Sequence, residues 1–248
     1  MGSEANGRFA RLMAWLGRRE LALPALLLVI ASAILAFGKL AIEVSEGETH
    51  SFDRTLLLAF RNPADPSDPL GPLWLEEAAR DITSLGSTMV LMVVTLAVAG
   101  FLALARKRGA ALLVLASVGG GALLSTLLKL GFERPRPDLV PHAVAVYTAS
   151  FPSGHAMLSA VTYLTLGTLL ARIQPRRRLR AYIVAIAVLL ALLVGTSRVY
   201  LGVHWPTDVL AGWCLGAAWA MLCWAVALWL QRRGRVESDG TPDQAAAP

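Results

Sequence analysis

The sequence predicts an all-α membrane protein, a bundle of six transmembrane helices with short surface helices in the first external loop. Of the 248 residues, 56% are hydrophobic and only 16% are charged, and the mean hydropathy is +0.57, whereas a soluble domain is typically about 25% charged. The apolar residues lie in six long runs rather than in short amphipathic periods. Basic residues gather in alternate connections between these runs, as they do in proteins that cross a membrane several times.

The N-terminal segment, residues 1–20, has apolar residues at helical spacing with arginines between them. This pattern predicts an amphipathic segment that lies on the membrane surface. It is not typical of a secretory signal peptide, because the apolar run that follows is too long and no small-residue cleavage site comes after it. The apolar positions are Phe9, Leu12, Met13 and Leu16.

The six apolar runs form one membrane domain, residues 21–231. Each run is close to the roughly 20 residues that a helix needs to cross a bilayer, and neutral residues before the fourth run extend it. The runs cover residues 21–42, 82–105, 109–128, 156–171, 181–197 and 209–231. The tail, residues 232–248, is polar and is predicted to be disordered.

The positive charges predict the orientation of the chain. Fifteen of the 23 Lys and Arg residues lie in the N-terminal segment, the links between the second and third and between the fourth and fifth runs, and the tail. With six spans these segments share one face, which the positive-inside rule assigns to the cytoplasm. We therefore predict a multi-pass membrane protein with cytoplasmic N- and C-termini. Its periplasmic or exterior face carries the loops 43–81, 129–155 and 197–208.

The first external loop, residues 43–81, is strongly acidic, with nine Asp and Glu residues against three arginines. A turn-rich stretch at residues 62–69 separates two apolar-patterned pieces, 52–60 and 73–82, which are predicted to form the short surface helices. The favoured interpretation of this segment is a solvated loop. The alternative is a lid that shapes the entry of lipid.

The other two external loops carry the polar residues that indicate a function. Charged side chains at a membrane boundary are costly and mark functional sites. Clustered cations bind an anion, and planar guanidinium groups suit phosphate in particular. Aromatic residues do not interleave with the basic ones, so the sequence does not predict a nucleic-acid surface. The residues of interest are Lys129, Arg134, Arg136, Ser153, Gly154, His155, Arg198, His204 and Asp208.

Three of these residues, Ser153, Gly154 and Asp208, belong to predicted helix starts. Ser153 is expected to cap the fourth helix, and Gly154 after it leaves backbone N–H groups open to an anion. Pro206 suits the first position of the sixth helix. Asp208 then falls in the first turn, where its carboxylate is expected to reach back to His204 in the preceding loop and fix the tautomer of the imidazole. The other ring nitrogen of His204 is then free to attack.

The three segments together resemble the signature of the type 2 phosphatidic acid phosphatase superfamily. The matching pieces are Lys129 with Arg136-Pro137, Pro152 to His155, and Ser197-Arg198 with His204 and Asp208. All three parts occur in order and at the family's spacing. The resemblance implies an integral membrane phosphatase of a bacterial inner membrane that acts on a lipid phosphate or diphosphate, similar to bacterial undecaprenyl-diphosphate and phosphatidylglycerophosphate phosphatases. Phosphatidate is a further candidate substrate.

The resemblance also implies a role for each matched residue. His204 would attack phosphorus and form a phosphohistidine, Asp208 would orient His204, and His155 would protonate the leaving oxygen and later activate water. No cofactor or metal is expected, and the expected partners are the lipid phosphate and the surrounding membrane lipids. The oligomeric state is not predicted. The residues implied to hold the phosphoryl oxygens are Lys129, Arg136, Ser153, Gly154 and Arg198.

Other interpretations stay open at this point. His204 with Asp208 also fits a capped helix start or half of a zinc site, although a structural zinc needs four ligands and the two loops contain no cysteine. Arg134 is either a cation that reaches toward the interface or a residue that supports the phosphate contacts from behind. The chain could also be a lipid A 1-phosphatase, a phosphotransferase that passes the phosphoryl group to a lipid or sugar, or an anion transporter. Against transport, the charged residues stop at one face.

Overall fold

The computed structural model describes residues 2–142, 144 and 148–232, with the backbone alone for residues 2–22 and 232. Within these residues the chain forms eight α-helices and one small hairpin, which confirms the all-α fold and the short surface helices of the first external loop. The elements are α1 (Gly2–Glu46), α2 (His50–Leu58), β1 (Arg61–Asn62), β2 (Asp65–Pro69), α3 (Leu73–Ser84), α4 (Thr88–Leu104), α5 (Arg108–Phe132), α6 (Gly154–Arg172), α7 (Arg177–Tyr200) and α8 (Pro206–Arg232).

Five of the described helices, α1, α5, α6, α7 and α8, are individually long and apolar enough to cross a membrane. Helices α3 and α4 form a sixth span if this pair, bent by 48°, is taken as one. The break has a local cause, because Ser87 starts a new helix by accepting a hydrogen bond from the N–H of Val90 at 3.3 Å. The uninterrupted run predicted over residues 82–105 is therefore divided, and its first residues belong to α3.

The N-terminal helix passes residue 20 without a break, since α1 is continuous from Gly2 to Glu46. The surface location predicted for residues 1–20 stays a prediction. The predicted disorder of the tail falls almost wholly on residues 233–248, which lie outside the described residues.

Helix α6 is central in the bundle and packs against α5, α7 and α8, while α1 packs against α8. Because consecutive spans run in opposite directions, the C-terminal ends of α5 and α7 meet the N-terminal ends of α6 and α8. Both helix starts follow the predicted chemistry. Ser153 caps α6 by accepting a hydrogen bond from the N–H of Ala156 at 3.5 Å, and Pro206 is the first residue of α8.

The first external loop is packed more tightly than a solvated loop. Asp53 and Leu57 on α2 are fully buried, and Arg61 on β1 is 3% exposed. Leu57 belongs to a hydrophobic cluster with Trp205 and Val209, so α2 covers the start of α8. The favoured interpretation as a solvated loop therefore does not hold for Asp53, Leu57 and Arg61, although six of the nine residues of α2 are exposed. The lid alternative stays a prediction.

Candidate active site

A cavity of about 410 Å³ lies at the end of the bundle where α5, α6, α7 and the loop before α8 meet. Six of the nine residues that the sequence singles out line it. The other three, Arg134, Ser153 and Asp208, are buried behind this lining. Segments that are far apart in sequence therefore meet at one place, as predicted. The six predicted residues among those that line the cavity are Lys129, Arg136, Gly154, His155, Arg198 and His204.

His204 lies between α7 and α8 and is 1% exposed. Its Nδ1 is 3.4 Å from Oδ2 of Asp208, which lies in the first turn of α8. Its Nε2 is 3.2 Å from a guanidinium nitrogen of Arg136. A guanidinium group donates and cannot accept, so Nε2 carries the lone pair and the proton sits on Nδ1. The predicted contact between the loop and the first turn is present, and both neighbours favour the same tautomer.

The electrostatic environment keeps His204 uncharged. Burial lowers the pKa of His204 to about 3, because loss of solvation opposes the imidazolium more strongly than the Asp208 carboxylate favours it. The charges of Arg136 and Arg198 lower this pKa as well. His204 is therefore a neutral imidazole at neutral pH, which is the form that a nucleophile requires.

Asp208 is fully buried, and its carboxylate is held from several sides. Oδ2 accepts hydrogen bonds from the backbone N–H of Trp205 at 2.9 Å and from the hydroxyl of Ser150. Oδ1 accepts from Arg134 at 2.5 Å. A carboxylate with these partners cannot rotate away from His204 without leaving buried donors unpaired.

Three cations border the cavity, and none has an acidic partner at ion-pair distance among the described residues. Lys129 donates to the carbonyl of Ala149 at 2.7 Å, and Arg136 donates to two backbone carbonyls at 2.7 and 2.8 Å. Arg198 donates to the hydroxyl of Thr83 at 3.0 Å, while its Nε is buried without a hydrogen-bond partner. Their positive charge is therefore available to an anion that enters the cavity.

The start of α6 forms one edge of the cavity. Gly154 and His155 line it, and a Cβ atom at Gly154 would be 3.5 Å from Cε of Lys129. Ser153 lies behind this edge, where its N–H donates to the backbone carbonyl of Asp208 at 2.9 Å. The cap predicted for Ser153 is present, whereas its contact with a phosphoryl oxygen stays a prediction.

Arg134 does not line the cavity, and it is only 8% exposed. It pairs with Asp208 and with Asp53 at 2.5 and 2.7 Å. The interpretation of Arg134 as a cation that reaches toward the membrane interface is therefore wrong. Arg134 contacts the carboxylate that faces His204, and a role in supporting the phosphate contacts from behind stays a prediction.

Two residues that contact the site were not predicted from the sequence. Asp53 on α2 accepts hydrogen bonds from both the N–H and the hydroxyl of Thr207, at 2.9 and 2.7 Å. Ser150 contacts Asp208 and lies 3.3 Å from Nδ1 of His204. Nothing in the sequence distinguishes Asp53 from the other eight acids of its loop, and Ser150 lies outside the matched motifs.

No group of three or more His, Cys, Asp or Glu side chains is placed to hold a metal ion within the part of the chain that the structure describes. The cavity has a chemical composition that fits an anion instead, with two imidazoles and three cations. The expectation that catalysis needs no metal stays a prediction.

The sequence model of the PAP2 superfamily matches residues 110–232. Phosphatidylglycerophosphatase B of Bacillus subtilis is 40% identical over 146 residues, which are 58% of this chain and 70% of the relative. The chain belongs to the PAP2 superfamily. An undecaprenyl-diphosphatase of Sulfolobus acidocaldarius is 44% identical to this PAP2 protein over 68 residues, 27% of this chain and 29% of the relative.

The fold of this PAP2 protein also matches a solved structure. The crystal structure of the transmembrane PAP2-type phosphatidylglycerolphosphate phosphatase of Bacillus subtilis has a TM-score of 0.72 at 33% identity, and the match covers 82% of this chain and 98% of that chain. The resemblance inferred from the three motif segments is confirmed. The protein is a multi-pass membrane protein and a PAP2-type lipid phosphatase.

Proposed function

We propose that this PAP2 phosphatase removes phosphate from a lipid phosphate or diphosphate at the outer face of the membrane, through a phosphohistidine on His204 and without a metal ion. One observation carries the proposal. Nε2 of His204 holds a lone pair at a cavity lined by three cations, because Arg136 donates to Nε2 and Asp208 faces Nδ1.

In the first step, Nε2 of His204 attacks phosphorus while the bond from phosphorus to the lipid oxygen breaks. His155, which lines the same cavity, acts here in its protonated form: it gives its proton to the leaving oxygen and becomes neutral. The positive charge that develops on the imidazole of His204 is balanced by Asp208, and Lys129 and Arg136 stabilise the charge on the phosphoryl oxygens.

In the second step, His155 is neutral and takes a proton from a water molecule, which then attacks phosphorus. The bond from phosphorus to Nε2 breaks, inorganic phosphate leaves, and His204 returns to its neutral form. A lipid or sugar hydroxyl in place of water would give the phosphotransferase alternative, and it would reveal itself as a product that forms only when the acceptor is present.

The relatives support an order of substrates to test. Phosphatidylglycerophosphate comes first. The relative from Bacillus subtilis that is 40% identical over 146 residues is named for it, and the matching crystal structure is named for the same activity. Undecaprenyl diphosphate comes second, supported by the relative that shares a shorter stretch. Phosphatidate and the 1-phosphate of lipid A complete the panel.

The distribution of charge supports the orientation. The cavity lies at the C-terminal ends of α5 and α7, whereas the basic links before α5 and before α7 lie at the opposite end of the bundle. The positive-inside rule supports a cytoplasmic location for that opposite end, and we propose a bacterial inner membrane because the 40% identical relative and the matching crystal structure are both bacterial. Single cysteines at exposed Asp68 and at Lys107, in a chain with Cys214 and Cys223 replaced by serine, test this. A membrane-impermeant thiol reagent should label position 68 in spheroplasts. Labelling of position 107 alone would contradict the proposed orientation and indicate the opposite one.

The decisive experiment compares the wild type with His204→Ala in detergent, on the four lipid phosphates and with excess chelator. We expect turnover of at least one lipid with the chelator present, and loss of turnover in the variant. His50→Ala is the matched control, since His50 is exposed and does not line the cavity. Activity that requires an added divalent ion, or a fully active His204→Ala enzyme, would contradict the mechanism.

A further inference from the structure

Asp53 is fully buried although it lies on α2, outside the membrane spans and in a loop that is otherwise rich in exposed acids. We propose that Asp53 is a positioning residue for the nucleophile, which acts through Arg134, Thr207 and Asp208. The inference rests on the proposed role of His204, and it adds an element of the first external loop to the catalytic apparatus.

The first connection joins α2 to the start of α8. Oδ1 of Asp53 accepts a hydrogen bond from the backbone N–H of Thr207 at 2.9 Å, and Oδ2 accepts from the Thr207 hydroxyl at 2.7 Å. Thr207 lies in the first turn of α8, where backbone N–H groups have no partner inside the helix. Asp53 therefore caps α8 from a helix that is 154 residues away in sequence, and it fixes the turn that contains Asp208.

The second connection runs through Arg134. One guanidinium nitrogen donates to Asp208 at 2.5 Å and to the Thr207 hydroxyl at 2.9 Å. The other donates to Asp53 at 2.7 Å and to the hydroxyl of Thr49 at 3.1 Å. With both ends of the guanidinium group engaged, the orientation of Arg134 is fixed, and so is the direction of the Asp208 carboxylate that it contacts.

The charges of this group explain why a second carboxylate is useful. Asp53 and Asp208 share a single guanidinium group, so Asp208 is only partly neutralised by Arg134. A carboxylate that keeps part of its negative charge is a better partner for an imidazole that becomes positive during phosphoryl transfer. Without the charge of Asp53, Arg134 would neutralise Asp208 more completely, and the support for His204 would weaken.

The test is the Asp53→Asn enzyme, which keeps the shape of the side chain and removes its charge. We expect kcat per folded molecule to fall by about tenfold to a hundredfold, because a small displacement of a reacting group lowers the rate by such a factor. The KM for the lipid and the inhibition by inorganic phosphate should not change, because Lys129, Arg136 and Arg198 are untouched. Glu77→Gln is the matched control, since it removes one exposed charge from the same loop.

Two further variants separate positioning from simple stabilisation. Thr207→Val removes the hydroxyl between Asp53 and Arg134 while keeping the backbone N–H, and we expect a several-fold loss of kcat at unchanged KM. This milder variant also decides the matter if Asp53→Asn does not fold. Asp53→Asn combined with Asp208→Asn should be no slower than Asp208→Asn alone, because Asp53 acts through Asp208.

The outcomes are distinct from those that test the proposed function. If His204→Ala is inactive but Asp53→Asn and Thr207→Val keep the wild-type kcat per folded molecule and lose only melting temperature, the inference about Asp53 is overturned and the proposed mechanism stands. If His204→Ala retains full activity, the proposed mechanism fails first.

Discussion

Arg136 donates a hydrogen bond to Nε2 of His204 across 3.2 Å, so the proposed nucleophile rests with its lone pair engaged by a cation of the phosphate site. The same guanidinium group donates to the carbonyls of Thr148 and Val203 at 2.8 and 2.7 Å, which fix its plane. Under the proposed mechanism, we expect a phosphoryl oxygen that enters the cavity to compete with Nε2 for this donor. Binding of the oxygen would then free the lone pair and bring phosphorus close to it.

This relationship predicts that lysine cannot replace Arg136. Lysine keeps the charge but lacks the planar fork that reaches the two carbonyls and the imidazole together. We expect Arg136→Lys to lower kcat/KM by about a hundredfold to a thousandfold, the range seen when one donor to a developing oxyanion is removed. Arg54→Lys, at an exposed arginine of α2, is the control and should behave as the wild type. An Arg136→Lys enzyme with the wild-type kcat/KM would contradict this role.

Arg134 leads to a prediction about stability, because it pairs with two fully buried carboxylates. Arg134→Gln would leave Asp53 and Asp208 close together without a counter-charge, and breaking a buried pair in this way costs about 3–5 kcal/mol. We expect a large drop in the thermal unfolding temperature in detergent. The control is Arg80→Gln, which removes an arginine that pairs with Glu76 at the surface, where a pair contributes about 0–1 kcal/mol. Equal melting temperatures for the two variants would be inconsistent with the buried network.

The pKa of His204 predicts how stability changes with pH. Burial lowers this pKa from 6.5 to about 3 in the folded protein, so the unfolded chain binds more protons than the folded one between these two values. The free energy of unfolding therefore decreases as the pH falls from about 6.5 toward 3. The melting temperature of His204→Gln should decrease less steeply over pH 6.5 to 4 than that of the wild type. Parallel curves for the two proteins would show that folding does not lower the pKa of His204.

The parts of this site that the sequence predicts are those with local causes. Ser153 and Pro206 act on their own helix starts, so their neighbours in sequence are sufficient to predict the cap of α6 and the beginning of α8. Asp208 lies four residues after His204, and the start of α8 between them brings the two side chains together. The matched motifs then account for six of the residues that line the cavity, while others, such as Thr88 and Thr148, lie outside them.

The parts that the sequence does not predict depend on contacts between distant segments. Asp53 caps α8 from another helix, and in the sequence it is one of nine acids in a polar loop. Arg134 stands beside Arg136 in the same Arg-Pro repeat, and only the fold shows that one faces Asp53 and the other faces His204. The bend between α3 and α4 is not apparent in the sequence because the run over residues 82–105 is free of charges, and Ser87 within it gives only a weak signal.

Close packing of α8 on α6 leads to a last prediction, at Gly212. A Cβ atom at this position would lie 2.7 Å from the backbone carbonyl of Ser153 and 3.0 Å from Cβ of Ala156. Backbone atoms cannot move aside as a flexible side chain can, so Gly212→Ala must push the start of α6 away from α8. His155 lies in the first turn of α6, and His204 lies just before α8. The distance between the two imidazoles therefore depends on how closely α6 and α8 pack at Gly212.

We expect Gly212→Ala to destabilise the protein by about 1–3 kcal/mol, the usual cost of overpacking, and to lower kcat by about a hundredfold through misplacement of the reacting groups. Gly119→Ala is the matched control, because Gly119 also lies in a membrane-spanning helix but a Cβ atom there would meet no other atom within 4 Å. Its activity should be unchanged, and its stability equal or slightly higher, since alanine favours a helix by about 1 kcal/mol over glycine. Wild-type kcat in Gly212→Ala would mean that the two histidines tolerate a shift of α6, and that their spacing does not limit the reaction.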